Sequence, residues 1–306
     1  DLFVYGNWDL GTHPLNVRVG KQVVNWGESN IIGGGISQMQ NPIDLGKTTV
    51  PGTEVKETLM PQEMVYTSIG VTDEVTLEAY YVWNWRNTIF IPVGTLFSPF
   101  DFIGDGFNPN LAGGALPSDG FAGRNEPDGG QWGLALHTLV DSLNSADLGF
   151  YWVRSHAFVP YLGVNPAAGG YQWIYAEDVD TYAVSLSGEI PGSLGLSFQT
   201  EFNFRPNYYD TRQCQNPGFG LAGAPFTTSP ISGSNVLAGC DIGAGDVWTY
   251  IGSLTRSAGT SWFGADKLNT VLDVQAQWID NLRSGDPTDR MQSGSPIDRG
   301  NFPGVD

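Results

Sequence analysis

Period-two alternation of apolar and polar side chains dominates the chain and recurs in paired segments. In its cleanest instance Leu194, Leu196, Phe198, Thr200, Phe202 and Phe204 share one face. Gly195, Ser197, Gln199, Glu201, Asn203 and Arg205 share the other. A strand turns successive side chains to opposite sides, so this segment has a greasy face and a polar one. A second instance sets Val75, Leu77, Ala79, Tyr81, Trp83 and Trp85 against Thr76, Glu78, Tyr80, Val82, Asn84 and Arg86. In a third, Thr270, Leu272, Val274, Ala276 and Trp278 oppose Val271, Asp273, Gln275 and Gln277. Helical spacing fits none of them, because it would place Glu78 or Glu201 inside an apolar stripe.

The same pattern predicts ten strands, near 1–10, 15–26, 63–71, 74–86, 131–140, 147–156, 180–188, 193–205, 247–256 and 267–279. Short turns follow the odd strands: Gly11-Thr12-His13-Pro14, Thr72-Asp73, Asp141–Ala146, Glu189–Gly192 and Ser257–Asp266. Long irregular segments, 27–62, 87–130, 157–179 and 206–246, follow the even ones. Loops of that length are unusual in compact soluble domains. Short turns on one side and long loops on the other are the pattern of outer-membrane barrels. The expected fold is all-β: an antiparallel transmembrane β-barrel with Gly/Pro/Asp-rich extracellular loops, residues 1–306 forming one domain. With ten strands so arranged, both chain ends fall on the extracellular side, whereas bacterial barrels place their termini in the periplasm. The tail from Asp280 to Asp306 reads as a further loop, and no basic stretch with an apolar core follows Asp1, so any signal peptide has been removed or was never included. The expectation is therefore an internal piece of a barrel of about twelve strands or more, incomplete at both ends.

Composition narrows the classes. The 306 residues carry 14 Lys+Arg against 32 Asp+Glu, a net charge of -18. So acidic a chain repels phosphate, which excludes nucleic acid as a partner. A hydrophobic content of 41% excludes a disordered acidic tail. No apolar run approaches the ~20 residues of a membrane-spanning helix, which leaves strands as the route into a bilayer. Aromatic residues crowd the strand ends, as at Tyr5 and Trp8, Trp83 and Trp85, Tyr151 and Trp152, Trp248 and Tyr250. Such rings favour a membrane–water boundary, and equally pack the core of a soluble sandwich.

By parity Arg18, Glu78, Arg86, Gln199, Glu201, Arg205, Asp273, Gln275 and Gln277 face the barrel interior. They either hydrate it, with opposite charges neutralised across strands, or line a permeation path. Tyr80, Val82 and Val271 would add apolar patches to such a path. Within loop 27–62, Ile31, Ile32, Gly33, Gly34, Gly35 and Ile36 lack strand periodicity. This stretch either folds inward as a constriction, caps the mouth, or forms an ordered surface loop. No Lys-Ser/Thr pair follows the glycines and no helix is suggested, so they are no phosphate cradle. Cys214 and Cys240 lie in one Gly/Pro-rich segment, as a disulfide or as two buried thiols. Asp101, Asp105, Asp119 and Asp128 offer oxygen ligands for Ca²⁺ without EF-hand spacing, so no cofactor is required. Acidic loops bridged to lipopolysaccharide by divalent cations are the simpler account. His13, His137 and His156 lie in separate hairpins, no Gly-x-Ser-x-Gly elbow occurs, and a Glu78–Glu201 pair is of a kind an acidic chain supplies by chance. An enzyme is not expected.

Several stretches resemble a proteobacterial outer-membrane family, domain-of-unknown-function 1302. They are Val17-Arg18-Val19-Gly20-Lys21-Gln22-Val23-Val24-Asn25-Trp26-Gly27-Glu28-Ser29, Asn41-Pro42-Ile43-Asp44, and the run from Val50 to Pro61. Leu77-Glu78-Ala79-Tyr80-Tyr81, Gly94-Thr95-Leu96-Phe97-Ser98 and Asp101-Phe102 complete them. The resemblance is strong over about residues 1–107 and beyond that rests on composition and strand rhythm. It implies a barrel in the bacterial outer membrane, in contact with lipid and lipopolysaccharide. It implies a part in moving hydrophobic, steroid- or lipid-like compounds. It further implies a periplasmic partner and an inner-membrane transporter of the resistance–nodulation–division type. The expected function is passage or delivery of hydrophobic small molecules. The alternatives are a surface structural or adhesive protein anchored by its barrel, and a secreted soluble β-rich binding protein.

Overall fold

The computed structural model describes residues 1–28, 34–53, 55–92, 94–97, 121–159, 161–165, 170–192, 195–210, 226–228, 235–237, 243–258 and 268–283. The strands run β1 (Leu2–Leu10), β2 (His13–Gln22), β3 (Gln62–Gly70), β4 (Val75–Asn84) and β5 (Phe121–Asn125). They continue with β6 (Gln131–Val140), β7 (Ala146–Ser155), β8 (Tyr161–Asn165), β9 (Gly170–Ile174) and β10 (Val179–Glu189). The last are β11 (Leu196–Asp210), β12 (Phe226–Thr228), β13 (Asn235–Leu237), β14 (Gly243–Ala258) and β15 (Leu268–Arg283). No described helix is long and apolar enough to cross a membrane.

Ten strands form one sheet in the order β1-β2-β3-β4-β6-β7-β10-β11-β14-β15, and every neighbouring pair is antiparallel. This meander follows from the turns. Between β1 and β2 only Gly11 and Thr12 intervene, with Gly11 at φ +70°, the left-handed conformation that two-residue hairpins ask of their first central residue. Asn144 and Ser145 close the β6–β7 turn at φ 60° and 54°.

The ten strands of this sheet are those the alternation predicts, but β11 runs on to Asp210, β14 starts at Gly243, and β15 reaches Arg283, into the tail expected as a loop from Asp280. β2 stops at Gln22, and Val23 to Trp26 leave the sheet. The segment after β2 is not free of helix: a 3-10 turn spans Ile36–Met39, and two single-turn helices span Leu45–Thr48 and Val55–Thr58. The Leu45–Thr48 helix starts where the Asp44 carboxylate accepts the Gly46 N–H at 3.0 Å. The other long segments carry short strands where irregular backbone was expected. β5, β9 and β8 form a small sheet whose β5–β9 pair is parallel, and β12 pairs with β13.

Register divides the sheet into two unlike faces. One, the open face, displays Leu77, Tyr81, Leu134, Phe150, Tyr182, Val184, Phe202 and Tyr250 to the surroundings. The opposite, covered face buries Met64, Tyr66, Tyr80, Val82, Ala135, Tyr151, Val153 and Ala183, with Glu201, Asn203, Arg205 and Thr249 beside them. What covers it is the chain's own segment after β2, through Val24, Trp26 and Ile36.

Candidate functional site

The covered face is built around Glu201 in the middle of β11. Its carboxylate is 1% exposed and accepts two backbone N–H groups, from Glu28 at 2.8 Å and from Ile36 at 2.7 Å. The two amides bracket residues 29–35, so one buried carboxylate closes the base of that loop. The contact is close enough that a Cβ on Gly27, at φ +80°, would collide with the Glu201 carboxylate. Four residues along β11, Arg205 donates from Nη2 to the Gly34 carbonyl at 2.6 Å. Charge-assisted bonds of this kind are about twice as strong as neutral ones.

Trp26 packs on the other half of the face. Its indole N–H donates to Glu78 Oε2 at 2.6 Å, and its ring centroid lies 5.0 Å from that of Tyr80 and 6.1 Å from that of Tyr151. Beneath it, β6 supplies the small residues Gly133 and Ala135, in register with Tyr80 and Val153 and with Glu78 and Tyr151. A Cβ on Gly133 would collide with the Tyr80 ring and stand 2.7 Å from the indole, so the bare backbone makes room for both rings. Tyr151 is held in place by a 2.9 Å bond between its hydroxyl and Ser185.

At the long-loop end a run of buried amides ties the segment to the sheet. Gln40 accepts the Trp26 N–H at 2.8 Å, and Gln62 donates to the Gln40 carbonyl at 2.5 Å. Gln131 donates to Gln62 at 3.3 Å and accepts the His156 N–H at 2.9 Å. His156 Nδ1 in turn accepts the Asp178 N–H at 3.1 Å. Buried polar groups so linked fix one geometry, because each unpaired member would carry a desolvation cost.

Of the sequence-predicted interior residues, Glu78, Glu201 and Arg205 meet on this face through the segment between β2 and β3. Arg18 lies over the Tyr66 ring at 4.5 Å and donates to Asn16 at 3.0 Å. Gln277 donates to Thr249 at 3.3 Å, and Gln275 approaches Gly34 from β15. Gln199 and Asp273 are partly buried on the same face. Arg86 lies beyond the end of β4, where parity no longer applies, and donates to the Pro61 carbonyl at 3.2 Å. Tyr80 and Val82 are buried on the covered face, and Val271 is 45% exposed. Gly34 is half-buried and Gly35 buried within the segment, while Ile31, Ile32 and Gly33 lie outside the described residues. So do Cys214, Cys240, Asp101, Asp105 and Asp119; Asp128 is exposed. Among the described residues no group of three His, Cys, Asp or Glu is placed to hold a metal ion.

The sequence reading missed Trp26, which it assigned to the end of a strand, and the Gly133–Ala135 floor. The available signal was the adjacent apolar pair Val23-Val24, which breaks alternation immediately before Trp26 and Gly27.

A family model described as "Protein of unknown function (DUF1302)" matches residues 1–303. The chain belongs to this family. The DUF1302 match spans nearly the whole chain, well past the first third on which the resemblance was strongest. No curated protein and no solved structure matches it.

In this DUF1302 chain, Glu28 sits outside the strands with its carboxyl held above the usual range. Burial is the main cause; Asp147 and Glu201 add repulsion, and bonds from Ser187 and Gln199 oppose it. A raised folded-state pKa means that protonated Glu28 favours docking. This contribution is fully present below the ordinary carboxylate range and disappears as pH rises through the raised value. The expected result is a fall in the protection factor of the Ile36 amide over that interval, with a flat profile in Glu28→Gln. An equal slope in both proteins contradicts the assignment.

Proposed function

We propose that this chain is part of the wall of a β-barrel in the bacterial outer membrane, serving passage or delivery of hydrophobic compounds. The observation that carries the reading is the character of the open face. The positions facing that way carry no Asp, Glu, Lys or Arg between two boundaries. One is the row of Lys21, Glu63, Arg154, Asp180 and Asp246; the other is Arg256. Just inside the first boundary, Trp152, Tyr182, Phe204, Trp248 and Trp278 stand directly opposite one another across five strands. Ring centroids along this row are 5.8, 6.4, 4.0 and 6.4 Å apart. An uncharged band edged by aromatic rings matches the outward surface of a membrane barrel, and it is hard to maintain in water.

Convergence on the covered face adds support. Glu78 and Glu201 lie four strand spacings apart, about 19 Å in a flat sheet, yet they grip residues 26 and 28 of one segment. One segment bonded to both is what a sheet curled around it would hold. The partners carried by the family resemblance, a periplasmic protein and an inner-membrane transporter, belong to the same proposal.

Passage is tested by uptake of a panel of hydrophobic carbon sources into a deletion strain, its parent and the complemented strain. Slower uptake in the deletion alone is expected; identical rates across the panel overturn transport. A second reading, a barrel that only anchors surface loops, is favoured by the segment that fills the covered face. Unchanged uptake together with lost surface attachment is its signature.

A further inference from the structure

We propose that Trp26 is the displaceable occupant of a ligand pocket. That pocket takes a flat fused-ring molecule of about indole size, with one hydrogen-bond donor on its rim. The proposal rests on the reading above and deepens it by naming the chemistry that the covered face recognises.

Four features describe a built site. Gly133 and Ala135 make a floor one strand wide, where side chains of ordinary size would fill the space. Tyr80 and Tyr151 stand on the strands either side, with rings at the distances of favourable aromatic pairs. Glu78 is an acceptor at the rim and is satisfied by the indole N–H at 2.6 Å. Met64, Val82 and Val153, all fully buried, extend the apolar lining. Large apolar surface with one placed acceptor is the composition of a small-molecule pocket.

The occupant is tethered in a way that suits release. Trp26 is not in a strand; it lies between the end of β2 and Gly27, whose φ of +80° suits a hinge. The segment that carries it is fastened by polar bonds at Glu201, Arg205 and Gln40, beside the apolar packing of Val24 and Ile36. Such bonds are individually modest when exchanged for water. If the pocket is open only a fraction of the time, apparent affinity is reduced by that fraction, and removing the occupant restores it.

The probe is 2-naphthol, with naphthalene as its donor-less counterpart, titrated calorimetrically into protein in lipid nanodiscs against empty discs. Trp26→Ala should bind 2-naphthol at least about tenfold tighter than the native chain. Gly133→Leu in that background should abolish binding, and Gly133→Ala should weaken it should the larger residue fail to fold. Glu78→Leu should remove the preference for 2-naphthol over naphthalene. In the native chain carrying 5-fluorotryptophan, the ¹⁹F resonance lost in Trp26→Phe should shift as 2-naphthol saturates. Absence of binding to Trp26→Ala, or a Trp26 resonance that stays fixed at saturating probe, overturns the proposal. Uptake in cells that persists while Trp26 stays fixed would leave passage standing and remove only this pocket. Displacement of Trp26 with no uptake defect would do the reverse.

Discussion

Replacing Glu201 with Ala will release the segment between β2 and β3 from the covered face while leaving the sheet in place. Two N–H donors, on Glu28 and Ile36, lose a charged acceptor at once. Hydrogen bonds to charged groups contribute about 1.5–3 kcal/mol each, and together they set the cost of opening this loop locally. A drop of about 3 kcal/mol in that cost raises amide exchange at the two positions by roughly 100-fold. Glu201→Gln keeps one acceptor oxygen and should fall between the two. Hydrogen exchange on the peptide spanning 23–41 reads the effect, with β10 and β14 amides as the internal standard. Unchanged exchange in Glu201→Ala would mean that apolar packing of Trp26 and Ile36 alone holds the segment. The same variant is informative for transport: a segment that gates passage speeds uptake when released, and one that merely fills a cavity does not.

That Glu201 lies on the face opposite Phe202 and Phe204 was legible in the alternation of residues 194–205, because successive side chains of a strand point to opposite sides. What Glu201 does there was not legible. Its partners are backbone N–H groups 165 and 173 residues away, and a backbone amide carries no mark in the sequence. The same holds for the end of β2. Val24 and Trp26 leave the sheet because the space over Gly133 exists only once β4, β6 and β7 are side by side, and the Val23-Val24 pair marks locally only that the alternation stops. Tertiary packing overrides the local preference at that point. Gly133 shows a third kind of limit. A glycine in a strand signals close approach by something, but only the assembled sheet shows that the approach is by the Tyr80 ring and the Trp26 indole. In the long loops, β5 and β9 pair in parallel between residues 49 or 50 positions apart, a contact that local pattern does not encode.

The strongest discriminating change is on the open face, at Val184. It lies opposite Phe150 on one neighbour and Phe202 on the other, within the uncharged band, and is 41% exposed. In water, a substitution at so exposed a site shifts stability by about 0.5 kcal/mol at most, and Val184→Arg would improve solubility. In lipid, the same guanidinium at mid-bilayer depth costs about 2–4 kcal/mol. The expected result is therefore poor assembly into membranes and a lowered denaturation midpoint in bilayers, measured by heat-modified gel mobility and by denaturant titration in vesicles. Gln199→Ala, on the opposite face, should stay within about 1 kcal/mol of the native chain. The two substitutions separate the environments by sign as well as by size, since only a lipid-facing Val184 makes the conventionally harmless change the damaging one. A Val184→Arg chain that assembles as well as Gln199→Ala would place the open face against water or protein. The aromatic row at Trp152, Tyr182, Phe204, Trp248 and Trp278 would then have to be explained as a docking surface instead of a membrane boundary.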